Sequence, residues 1–248
     1  MARPPSKSKG SSLNTFYGIL GVIAVIGAGA ILYQMYGQGS AAMQPVDVPI
    51  DQAQLAATEG ISIGEEDAPV VIFEFADFQC PACGTYATFV TPLIKERMVE
   101  PGLVRYVFYD FPLEMHPNSF IAARAGRCAN DQDMFWAYHD ILFAQQSSWS
   151  LERDPIGMFV DMADEVGLDA GQFESCLRSD MFAEEVTRSL RLGESLGVRG
   201  TPTLFVNGRR LPSPPTFNEL EVIVQNAAGL SQAPADTAAA PADTAAAS

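Results

Sequence analysis

The sequence predicts one α/β domain over about residues 59–230, built as a βαβ unit, a helical insertion at about 113–197 and a closing ββα unit. Three observations predict it. Val70 to Phe75, VVIFEF, is a β-prone apolar run bounded by Pro69 and the segment DFQCP, the length of a buried strand. Leu103 to Tyr109, LVRYVFY, is a second such run. The stretch between them has room for one crossover helix, which makes the strands parallel and the connection right-handed. Thr203 to Val206, TLFV, is a third run, followed by Asn207-Gly208, a strong hairpin-turn signal.

Ahead of the domain, residues 16–33 read FYGILGVIAVIGAGAILY without a charge. That is near the shortest run able to cross a hydrocarbon core of about 30 Å. Arg3, Lys7 and Lys9 precede it and no acid occurs before Asp47. The positive-inside rule therefore keeps residues 1–15 in the cytoplasm and exports everything after the run. The expected organisation is a transmembrane anchor at 16–34 and a polar, proline-containing linker at 35–58. A cleaved signal peptide is the alternative, with Ala28-Gly29-Ala30 as its small-residue site, but the run exceeds the ~7–15 apolar residues usual there. Both readings export the domain.

Within the domain, a helix is expected from Cys80 to about Glu100, stopped by Pro101-Gly102. In the insertion, Ile121, Ala125 and Cys128 share a helical face; so do Met134, Tyr138 and Ile141, then Phe173, Cys176 and Leu177, then Phe182, Val186 and Leu190. Asp169 with Gln172 reads as a capping box, and Asp180 as another N-cap. Phe217 to Ala228 closes the domain as a helix. Residues 233–239, APADTAA, repeat as 240–246, so the tail at 231–248 has nothing to bury and is expected to be disordered.

The formal charge is −15 although the N-terminal segment is basic. An exported part this acidic repels phosphate backbones and anionic lipid surfaces, which excludes nucleic-acid binding. Four cysteines in an exported chain point to an oxidising compartment, and spacing does not choose among their three pairings. A zinc site is not expected. It takes four ligands, commonly as two close pairs; here there is one CxxC, while Cys128, Cys176, His116 and His139 stand apart.

The CxxC itself, Cys80-Pro81-Ala82-Cys83, lies between the first strand and its helix. As a staple it would close too small a loop to matter. Pro81 suits the first helical position, which puts Cys80 at the helix N-terminus, beside unpaired N–H groups and the positive end of the dipole. Both favour thiolate, the nucleophilic form. Cys83 lies one turn on and on the same face, within reach to resolve a mixed disulfide. Glu74, inside VVIFEF, is costly to bury while ionised, so its pKa should rise.

The segments VIFEFADFQCPACG, YDFPLEMHPNS and LGVRGTPTLFVNG resemble the DsbA-like branch of the thioredoxin superfamily over about residues 60–228. The resemblance implies a thioredoxin-like fold carrying the helical insertion, and a cis Thr201–Pro202 bond facing the cysteines, with Thr201 and Pro202 receiving an extended client strand. It implies that Cys80 forms the mixed disulfide, that Cys83 resolves it, and that Glu74, six residues before Cys80, assists proton transfer at the buried thiol. It also implies a structural disulfide between Cys128 and Cys176, with two buried free thiols as the alternative. The family segment around His116 shapes the start of the insertion, and His139 is read as a packing residue; neither enters the site. No metal and no bound cofactor are expected, because the cysteine pair carries the electrons. The expected function is a membrane-anchored, extracytoplasmic (periplasmic or outer-face) thiol–disulfide oxidoreductase that introduces disulfides into exported client proteins and is reset by a membrane redox partner. Ala82 stands where the best-known DsbA pattern has a histidine, which leaves a client-specific reductase or isomerase open. A non-catalytic peptide-binding or chaperone module is the further alternative.

Overall fold

Alternation along the first apolar run sends Val70, Ile72, Glu74 and Ala76 to one face of a strand and Val71, Phe73 and Phe75 to the other. In the computed structural model, which describes residues 11–37, 46–48, 58 and 60–230, that strand is the centre of a six-stranded sheet. The strands are β1 (Val46–Asp47), β2 (Ile61–Ile63), β3 (Val70–Ala76), β4 (Val104–Asp110), β5 (Thr203–Val206) and β6 (Arg209–Arg210), in the order β1-β6-β5-β3-β4-β2. Only β3 and β4 run parallel, as the crossover requires; the other pairs are antiparallel. Asn207 and Gly208 take φ of 47° and 79°, the two positive values of a tight hairpin turn.

Each sheet face is covered separately. Val70, Ile72, Tyr106 and Val206 pack against Tyr86, Ile94, Met98, Leu220 and Val224 from flanking helices. Phe75, Tyr109, Phe111 and Phe205 pack on the opposite face against Leu192 and Leu196. A Cβ at Gly193 would meet the Phe111 ring at 2.5 Å, so the helix carrying Leu192 approaches the sheet only with glycine there.

The helices are α1 (Ser11–Gly37), α2 (Pro81–Phe89), α3 (Thr91–Ile94), α4 (Ser119–Asn130), α5 (Phe135–Ala144), α6 (Gln146–Trp149), α7 (Ile156–Glu165), α8 (Ala170–Arg178), α9 (Ala183–Ser195) and α10 (Phe217–Ala227). The helix expected from Cys80 to Glu100 is interrupted. Pro92 has no N–H for Thr88 and its ring crowds that carbonyl, so the helix breaks at Val90, whose φ opens to −113°, and the run resumes as α3 and a π-turn over Lys95–Val99. Asp180 is not an N-cap: it sits at φ 58° and pairs with Arg124 at 2.5 Å, while Phe182 precedes α9. Asp169 does cap α8, accepting from the Gln172 N–H at 2.8 Å, but the bond to its own N–H comes from the Gln132 side chain. Thr216 and Glu219 form a reciprocal capping box at α10.

Two strands went unread in the sequence. Ile61–Ile63 is too short to show a period, and Val46–Asp47 lies within the expected linker, held by Arg209–Asp47 at 2.7 Å. The described residues 11–37 belong to a separate compact unit. There α1 runs over Ser11–Gly37, with its side chains described over 16–31. Among the described residues no helix is long and apolar enough to cross a membrane. The expected anchor at 16–34 lies within α1, with side chains described only to residue 31, and is not shown as a membrane span; most of the linker, residues 1–10 and the tail at 231–248 lie outside the described residues.

Candidate active site

The chain leaves β3 at Ala76 and turns sharply, the Cys80 N–H donating to the Asp77 carbonyl at 3.0 Å. Cys80 is then the N-cap of α2, with Pro81 in its first turn and Cys83 one turn on. Both cysteines are unbonded thiols, Cys80 7% exposed and Cys83 0%. Across from them the Thr201–Pro202 peptide is cis, and the Cys80 Sγ lies 3.5 Å from the Thr201 carbonyl oxygen.

The two sulfurs are electrostatically unlike. The Cys80 thiol is lowered to about 5, mainly by a hydrogen bond from Cys83, against the upward push of burial and with help from Thr201 and the Cys83 and Ala82 N–H groups. Cys83 is pushed well above the usual thiol range by burial, then by Cys80 and the charge of Glu74. A donor on Cys83 and open N–H groups at the helix end therefore stabilise charge on Cys80, with no histidine needed at 82.

Glu74 is 2% exposed, and the Tyr106 hydroxyl donates to its carboxylate. Burial raises it to about 7, against Tyr106 and the charge of Lys95, which both lower it. The folded chain therefore holds a proton that the unfolded chain releases, so stability present below pH ~4.5 falls as pH rises toward ~7. That slope amounts to about 3 kcal/mol in all. Glu74→Gln is expected to abolish it and to slow exchange through Cys83; urea unfolding at pH 4.5 and pH 8 measures the first. An unchanged slope, with unaltered exchange rates and pH profile, removes Glu74 from the site.

Sequence reasoning missed the clamp around this loop. The Asp77 carboxylate accepts from Gln79 N–H at 2.8 Å and Leu113 N–H at 3.0 Å and meets His116 Nδ1 at 2.6 Å, while the Asp77 N–H points at the Cys83 Sγ from 3.5 Å. His116 thus reaches the buried thiol through one residue. The Gln146 side chain donates to the Phe78 and Cys80 carbonyls at 2.6 and 2.9 Å. It occupies the space a Cβ on Gly84 would take, 2.7 Å from its Oε1, which explains the glycine after Cys83. His139 is fully buried among Phe78, Phe108, Phe135 and Phe143. Cys128 and Cys176 are disulfide-bonded, joining α4 to α8 with Cα atoms 5.9 Å apart. Among the described residues no group of three His, Cys, Asp or Glu side chains is placed to hold a metal.

A thioredoxin family model matches residues 56–226. The chain is 34% identical over 186 residues to Na(+)/H(+) antiporter NhaA 3 of Salinispora tropica, covering 75% of this chain and 26% of that protein. It spans about a quarter of the length of the first curated relatives it matches. It is 32% identical over 166 residues to probable disulfide bond formation protein D of Bacillus anthracis, covering 64% of this chain and 74% of that protein. The crystal structure of oxidised BdbD from Bacillus subtilis superposes with a TM-score of 0.65 at 23% identity, covering 75% of this chain and 99% of that one, a likeness of fold. With the match running from before β2 to the end of α10, the chain belongs to this thioredoxin family.

Proposed function

We propose that the chain is an extracytoplasmic thiol–disulfide oxidoreductase that introduces disulfides into exported proteins. The observation that carries this is the asymmetry of the pair: a Cys80 thiol near 5 beside a Cys83 thiol pushed far up. A stabilised thiolate makes the reduced form the favoured one, so the disulfide is readily given away. Of the two sulfur-bearing residues only Cys80 keeps any exposure, 7% against 0% for Cys83. A client thiolate attacks the Cys80 sulfur, the Cys80–Cys83 bond breaks, and Cys83 leaves with the electron pair and takes up a proton. Glu74, whose charge acts on Cys83, is the group suited to hold that proton. A second client thiolate attacks the client sulfur of the mixed disulfide and expels the Cys80 thiolate. The client gains a disulfide and the pair holds two electrons, which a membrane partner must accept. The client strand lies along Thr201–Pro202, pairing by main-chain hydrogen bonds. The uncharged run at 16–33 supports anchoring to the membrane with the domain outside.

The test is the reduction potential of the Cys80–Cys83 pair in the full-length chain, equilibrated in glutathione buffers. A value above about −200 mV is expected. A value near that of thioredoxin, about −270 mV, makes the dithiol the working form and replaces the oxidase with a reductase.

A further inference from the structure

Beside Cys80 a groove of about 510 Å³ runs between Ala82, the Thr201–Pro202 turn and Pro214, and Arg199 and Arg210 both line it. Among the described residues no acidic side chain lines it. Arg210 is half-buried and fixed, its Nη1 donating to the Gly197 carbonyl at 2.9 Å. Arg199 is exposed. Neither is in an ion pair with a carboxylate among the described residues, in a chain with 30 acids against 15 bases. Elsewhere carboxylates take up Arg97, Arg124, Arg127, Arg178, Arg188 and Arg209; Arg105, Arg153 and Arg191 have no carboxylate partner among the described residues either, so what sets Arg199 and Arg210 apart is that both line one groove.

We infer that Arg199 and Arg210 select client segments bearing a carboxylate side chain close to the reactive cysteine. The inference rests on the oxidoreductase reading and names the substrate class of the same site. A client strand seated on Thr201–Pro202 must pass through this groove, and a guanidinium fork matches a carboxylate in two parallel hydrogen bonds. Arg210 is preorganised by its bond to Gly197, so it loses little freedom on binding. The surrounding negative field opposes an acidic client at long range. A preference for acid therefore arises only from local contact, which separates this site from simple charge steering.

The experiment uses nine-residue peptides with one central cysteine thiol, flanked by glutamate, glutamine or lysine. Each reacts with the oxidised full-length chain, and mixed-disulfide formation is timed by acid quench and mass. Every rate is divided by that peptide's rate with glutathione disulfide, which removes the effect of flanking charge on the thiol. The glutamate peptide is expected to lead the glutamine peptide about tenfold at low salt, with the gap closing in ~0.5 M salt. Arg199→Gln is expected to cut that ratio by about threefold or more, and Arg199→Glu to place the lysine peptide ahead. Because Arg199 is exposed, these variants keep the fold. Equal rates for glutamate and glutamine peptides overturn the specificity and leave the redox reading standing. Failure of all three peptides to form a mixed disulfide overturns the redox reading, and the specificity with it.

Discussion

Cys80→Ser is expected to reduce disulfide exchange to background, a loss of at least about a thousandfold, because a serine hydroxyl is not ionised where the thiol is. Cys83→Ala should behave differently. Offered a client that already carries a disulfide, the Cys80 thiolate attacks it and expels one client thiolate, and with no Cys83 to displace the bound sulfur the mixed disulfide accumulates, visible as a reducible adduct on a gel. The same change removes the strongest single influence lowering Cys80, the hydrogen bond from Cys83. Cys80 then moves toward the ordinary thiol range, and its alkylation at pH 6 slows by about tenfold or more. The pH profile of iodoacetamide reactivity separates this from mere loss of the resolving step. A Cys80→Ser chain that still shields unfolded clients as well as the wild type would mean that binding, and not exchange, is what the groove serves.

Removing the second disulfide is expected to have the largest effect on stability. Cys128 and Cys176 are separated by 48 residues, and a closed loop of that size restrains the unfolded chain by about 4 kcal/mol in the chain-entropy model. Cys128→Ala/Cys176→Ala should lower the melting temperature by about 10 °C at this size. The effect should be local in origin. The bond pins α4 to α8 beside Arg124, which pairs with Asp180 and donates to the Leu177 carbonyl. Urea unfolding without reductant gives the energy, and intact mass after alkylation of the oxidised native protein should show neither cysteine labelled. A change below about 1 kcal/mol would place the stability of the insertion in its apolar packing instead.

The parts of the fold legible in the sequence were those written in neighbouring residues. VVIFEF and LVRYVFY became β3 and β4, and TLFV with Asn207-Gly208 became the β5–β6 hairpin. Pro81 placed Cys80 at a helix N-terminus by a rule that needs only two residues. The insertion's helical faces were likewise readable, since Tyr138, Phe173, Leu177 and Val186 are buried as their spacing implies. What misled was also local: Pro92 outweighed the apolar pattern around it, and Asp180 had the composition of a cap but a better partner in Arg124.

The sequence by itself determined the strand–helix junction and the placing of the paired thiols at the helix N-terminus, because caps, periods and turn residues act over a few positions. The tertiary structure alone decided the surroundings of that pair. Gln146 clamps Cys80 from 66 residues away, His116 reaches Asp77 across 39, and Arg209 ties down β1 across 162. Arg199 and Arg210 share a groove only because the β5–β6 hairpin folds back beside the Thr201–Pro202 turn. Such contacts depend on where whole elements pack, and a side chain's type says what it can bond, not which distant partner the fold will bring to it.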